Sequence, residues 1–112
     1  MWVGVIRFSA FETVEIEGNL EDYQRLVGGW LETVPTFIKG HLLLIDEEGK
    51  LKGLPMNDLA TLCSAVCAPD FIVGDAVLVR LNANCDDWEG WESHEDCYRA
   101  FQSVLHAGFG GR

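Results

Sequence analysis

Four cysteines and three histidines are the side chains with the most reactivity to offer, and their spacing admits one metal-like constellation. Cys63 and Cys67 stand one helical turn apart, and His94 and Cys97 stand three apart on a second predicted helix. Two such pairs could close a tetrahedral zinc site. Against this, Cys63 falls on an apolar helical stripe, where a thiol serves as a small hydrophobe, and the chain has no tight Cys-x-x-Cys knuckle. Nucleophilic catalysis needs a base and an oxyanion hole beside the nucleophile. Cys85 is instead followed by Asp86 and Asp87, and acidic neighbours raise a thiol pKa. A thiol- or metal-dependent enzyme is therefore the least favoured reading, and neither metal nor cofactor is expected.

Binding chemistry has two candidate locations. The first comprises Gly28-Gly29-Trp30, Lys50, Lys52-Gly53-Leu54, Asn57 and Gly74. Glycines inside apolar runs mark places where the backbone turns or something approaches it closely. If these residues meet, Trp30 offers a stacking face, Asn57 an amide, and Lys50 and Lys52 (with Lys39) positive charge beside backbone N–H groups. Gly49-Lys50-Leu51-Lys52-Gly53 lacks the spacing and hydroxyl of a P-loop. The architectural alternative makes Gly28 a helix C-cap, Asn57 an N-cap, Trp30 a core residue and the lysines protectors of a strand edge. The second location is Asp86 to Asp96, which has six acids, no Lys or Arg and two tryptophans. Trp88, Glu89, Trp91 and Glu92 could form a docking patch of aromatic anchors with an acidic rim. Here the alternative is an acidic helix N-terminus with both rings folded onto the core.

The elements that must position these residues follow from pattern. Trp2 to Phe8 reads as a strand with Trp2, Ile6 and Phe8 on one face, and Glu12 to Glu17 alternates cleanly with Val14 and Ile16 inward. The two form a hairpin. Asn19 caps a helix that carries Asp22 three residues on and ends at Gly28. Trp30 to Val34 and His41 to Ile45 are strands, and Lys50 to Lys52 a short return strand. Asn57 caps a helix with Leu59, Leu62, Cys63 and Val66 at helical spacing. Phe71 to Leu81 is a long apolar strand buried on both faces, and Asn82 to Glu92 is a loop. Ser93 caps a last helix with Cys97, Phe101, Val104 and Leu105 inward. The order implies a small α+β domain with a mixed or antiparallel sheet of five to six strands packed by two to three helices. It spans residues 1–107, followed by a flexible tail at 108–112.

At 112 residues one core is the expectation. A net charge of −10 disfavours nucleic acid and anionic membrane surfaces, which call for Lys and Arg. The start lacks the basic and apolar regions of a signal peptide, and no apolar run is long enough to span a bilayer. A bacterial cytoplasm with reduced thiols is the expectation.

Three motifs carry a family resemblance. Leu26-Val27-Gly28-Gly29-Trp30-Leu31-Glu32 follows an acidic amphipathic helix; Asp46-Glu47-Glu48-Gly49-Lys50-Leu51 runs on to Gly53-Leu54-Pro55-Met56-Asn57; Ile72-Val73-Gly74-Asp75-Ala76 comes last. In this order they resemble the phage- and plasmid-associated domain of unknown function 3846 family. Trp at position 30 and the Trp-rich acidic stretch are departures. The resemblance implies mobile-element context but no activity. The leading reading is a non-enzymatic accessory binding protein of a phage or plasmid, acting by capture of a host protein, in counter-defence for example. The alternatives are a sponge that sequesters a small anionic, nucleotide-like ligand in the Gly/Trp-lined site, and the enzyme above. A homodimer is compatible with the apolar content.

Overall fold

A computed structural model of the protein describes residues 1–66 and 70–110. Among the described residues six strands form one antiparallel sheet: β1 (Trp2–Ile6), β2 (Phe11–Glu15), β3 (Leu31–Pro35), β4 (His41–Asp46), β5 (Ala76–Leu81) and β6 (Trp88–Glu89). The order is β2-β1-β5-β4-β3, with β6 continuing the line of β1 along β5. The described residues also form three helices: α1 (Leu20–Val27), α2 (Asp58–Cys63) and α3 (His94–Gly110).

The helices cover both faces of the sheet. Val3, Val5, Leu44, Val77 and Val79 meet Tyr23 and Val27 of α1 on one face. Ile6, Leu43, Ala76 and Leu78 meet Cys63 of α2 and Cys97, Phe101 and Val104 of α3 on the other. This explains why β5 reads as a continuous apolar run rather than an alternating one. α3 lies over β1 and β2, and α2 packs on α3. The α3 crossing is close: a Cβ on Gly108 would stand 1.9 Å from the Leu62 carbonyl oxygen.

Local signals place α1 as expected. The Asn19 side chain accepts from the Asp22 N–H, the Asp22 carboxylate accepts from the Glu17 and Gly18 N–H groups, and Gly28 closes the helix at φ 90°. The Gly18 N–H, Arg25 and the Glu17 N–H together pull the Asp22 carboxyl down by more than burial pushes it up, and it ends below the usual carboxylate range.

Several boundaries differ from the sequence reading. β1 stops at Ile6 and Phe8 lies beyond it, exposed, while Trp2 and Ile6 do share a face. Residues 50–52 form part of a turn, not a return strand. α2 ends at Cys63, so Val66 is not on it. Strand β5 starts at Ala76 rather than Phe71, because Gly74 at φ +75° breaks the extended run after an isolated Met56–Val73 bridge. α3 continues through Gly110, and Gly108 is buried in it, so the tail expected from 108 is helix for three of its residues. Cys67 lies outside the described residues.

Candidate functional site

The sheet face that bears α2 and α3 is left uncovered toward β3 and β4. There the segment around Phe71 and the turn after β4 wall off a cleft of about 330 Å³. Its floor is Val34, Ile45 and Ile72; its rim carries Glu32, Glu47, Lys50, Leu51, Asp70 and Phe71.

The turn builds one wall. The buried Asp46 carboxylate accepts from the Glu48 N–H at 2.9 Å and from Lys52 Nζ at 2.7 Å. Gly29 makes room for this pair, since a Cβ there would come within 2.8 Å of both Asp46 Oδ2 and Lys52 Nζ. Burial pushes the Asp46 carboxyl up, yet the Lys52 hydrogen bond and the Glu48 N–H outweigh it and hold it below the usual range. The Lys52 N–H then bonds the Glu48 carbonyl, Gly53 N–H the Lys50 carbonyl, and Leu54 N–H the Gly49 carbonyl. The last two bonds are a Schellman closure, with Gly53 at φ +70° as its left-handed residue. Leu54 folds back over Gly49 and Gly74.

This geometry separates residues the sequence reading had grouped. Gly28, Gly29 and Trp30 meet Lys52 in a shallow depression on one flank of the turn. Lys50 faces the cleft on the other flank, paired with Asp70 and 5.0 Å from the centroid of the Phe71 ring. That pairing and the Phe71 N–H hold the Asp70 carboxyl below its ordinary value. Gly53 and Leu54 close the turn, Leu54 packs over Gly74, and Asn57 is turned inward. Asn57 is 2% exposed: its amide donates to the Ile6 and Gly74 carbonyls, and its oxygen accepts from the Ala60 N–H as an N-cap. No single concave site holds the whole set. Trp30 is 65% exposed, so the alternative that made it a core residue also fails.

The acidic stretch is corrected as well. Trp91 is 5% exposed, bridged to Trp2 and lying under Arg80, whose guanidinium is 5.3 Å from its ring. Trp88 sits on the opposite sheet face against Tyr23, rings edge-on at 5.6 Å. Glu89 pairs with Arg80. Only Glu92 of the proposed patch is fully exposed. The Trp91 ring is core and the Trp88 ring is half-buried, so neither stands free as an aromatic anchor.

Burial pushes the Cys97 thiol up to about 12, which keeps it protonated and unreactive at neutral pH. Among the described residues no group of three or more His, Cys, Asp or Glu is arranged to hold a metal ion, and no helix is long and apolar enough to cross a membrane.

Sequence reasoning named only Lys50 and, within its motifs, some neighbours of the cleft. Glu32, Val34 and Ile45 read in the sequence only as motif or strand residues, and the register Glu32–Ile45 and Val34–Leu43 is what puts them on one face. The signal that could have found them was the apolar Phe71-Ile72-Val73 run ahead of Gly74, too long to belong wholly to β5.

Fold and cleft together define a small antiparallel α+β domain, one sheet between helices, with a walled groove at its β3–β4 end. Residues 3–101 match the model of the domain of unknown function DUF3846, and the chain belongs to that family. No curated protein and no solved structure matches it.

Proposed function

We propose that this is a non-enzymatic binding protein that takes an extended, basic segment of a host protein into the cleft beside β3 and β4. One observation carries this reading: the groove is apolar at its floor and carries uncompensated negative charge at its rim. Among the described residues no cation pairs with Glu32 or Glu47, whereas both nearby lysines are engaged, Lys50 by Asp70 and Lys52 by Asp46. Exposed Leu51 and Phe71 supply apolar contact at the same rim. A chain of net charge −10 steers a basic partner toward it. A small anionic ligand finds no uncommitted cation at this groove, which counts against the sponge. Action in the bacterial cytoplasm on behalf of a phage or plasmid, counter-defence included, rests on the family resemblance alone.

The test is site-specific photo-cross-linking in a bacterial host. A photoreactive residue at Glu32 or Glu47 is expected to capture one defined polypeptide that the same residue at Glu21, on exposed α1 surface, does not. Glu32→Lys with Glu47→Lys should abolish the adduct formed from a probe placed at Leu51. Equal labelling from all positions, or none, overturns the reading.

A further inference from the structure

The two ends of the sheet are finished differently. In the β1–β2 hairpin the bonds Arg7 N–H to Ala10 carbonyl and Ile16 N–H to Met1 carbonyl set the parity. With Val3 opposite Val14 and Val5 opposite Glu12, the even-numbered residues of β2 bond β1. The N–H and C=O groups of Phe11, Thr13 and Glu15 therefore point away from the sheet. Among the described residues they have no partner, and β2 pairs with β1 alone. At the other end the free edge of β3 is blunted over part of its length: Pro35 has no N–H, its carbonyl accepts from the Ala65 N–H, and Thr36 bridges Ser64, so only Leu31 and Thr33 keep outward groups there.

We propose that the β2 edge pairs with the β2 edge of a second copy of this chain across a two-fold axis at Thr13. The strand's own sequence selects this occupant and its register. Placing Thr13 opposite Thr13 sets Phe11 opposite Glu15 of the second copy and Glu12 opposite Val14, so every outward group of the three residues is bonded. Shifting by one step of two residues in either direction leaves groups unbonded. One shift sets Glu12 against Glu12; a further shift the other way sets Glu15 against Glu15. Like charges directly opposite are destabilising. In the register centred on Thr13 no glutamate faces another, and the nearest diagonal one, Glu12, is ion-paired with Arg7, which also reaches Asp75. Tyr98 of α3 stands beside this edge, its ring 5.9 Å from that of Phe11 and 48% exposed, so an added strand would cover it. The cleft lies at the opposite end of the sheet and stays open in such a dimer, which would present two of them facing apart.

A five-residue pairing is a small interface, and two copies of charge −10 repel. The dimer is therefore weak and must tighten as salt is added, because screening removes the repulsion. A basic peptide on the same edge would show the reverse dependence.

Sedimentation equilibrium and native mass spectrometry of the full chain test this. The expected result is a concentration-dependent dimer that tightens severalfold between about 0.05 and 0.5 M NaCl. Thr13→Pro removes only an outward N–H, and Thr13→Glu sets two carboxylates face to face. Each should give a monomer with an unchanged melting temperature, and Thr13→Glu covers the case in which the proline variant folds poorly. Thr13→Cys in a Cys85→Ser background should link into a disulfide dimer, since a bonded antiparallel pair holds its Cα atoms about 5.5 Å apart, within disulfide reach. A monomer at all concentrations and salts, or a dimer that survives both Thr13 variants or loosens with salt, overturns the proposal.

Discussion

The 46–54 turn and the 86–96 stretch present the same ingredients, acids and an adjacent tryptophan, yet they resolve in opposite ways. At the first, Trp30 projects into solvent and the neighbouring acids line a groove. At the second, Trp91 is buried, Trp88 is half-buried against Tyr23, and the carboxylates stay outside. The difference lies in the backbone that carries each tryptophan. Trp88 enters β6, where Leu81 sits across from it, and Trp91 bridges Trp2, so the chain is extended through both. Residues three apart in an extended chain point to opposite faces, and here both faces are covered by helices. Trp30 sits instead between the end of α1 and the start of β3, where most of its ring is left to solvent. An acidic, Trp-bearing stretch is therefore a surface or a core element according to its backbone, and composition alone does not separate the two.

The largest expected effect tests that contrast directly. Trp91→Ala should cost about 3–5 kcal/mol in chemical denaturation, as for other buried aromatics, while Trp30→Ala should stay within about 0.5 kcal/mol, as for exposed positions. Comparable losses at the two positions would erase the distinction.

Next comes Asn57, which the sequence reading offered as a ligand-facing amide. Asn57→Ala removes the cap of α2 and takes a donor from one buried and one partly buried carbonyl, so a loss of about 2–3 kcal/mol is expected. A loss below about 0.5 kcal/mol would make the amide a binding group again.

Gly53→Ala should cost about 1 kcal/mol, because the residue sits at φ +70° where a Cβ is strained. Nothing lies within 4 Å of a Cβ built there, so the requirement for glycine is conformational and not steric.

The smallest effect is the pH response of the turn. The Asp46 carboxyl is held below its ordinary value in the folded state, so its stabilisation is full above the unfolded pKa near 3.8 and is lost as pH falls through the lower folded value. Amide exchange at Gly49 and Leu54 should accelerate, beyond the intrinsic pH trend, only below about pH 4. The response should vanish in Asp46→Asn with Lys52→Met, and acceleration already at about pH 6 would mean that another group closes the turn.

Much of the local structure was legible in the residues. Asn19, Asp22 and Gly28 bound α1, Asn57 begins α2, Ser93 begins α3, and the apolar run of β5 announces a strand covered on both sides. These signals act over a few residues, through capping hydrogen bonds, left-handed glycines and periodicity, and so they survive without tertiary context. The cleft was not legible. Its floor joins Val34 of β3 to Ile45 of β4 through strand pairing and adds Ile72, and it is closed by Phe71, far along the chain. Nor was the bare edge at β2, since the sequence marks a strand but not which of its sides goes unpaired. What the sequence determined by itself was the set of elements and their ends. What only the tertiary structure decided was strand order, register and the reach of each helix over the sheet, because these depend on contacts between residues many positions apart that no local pattern encodes.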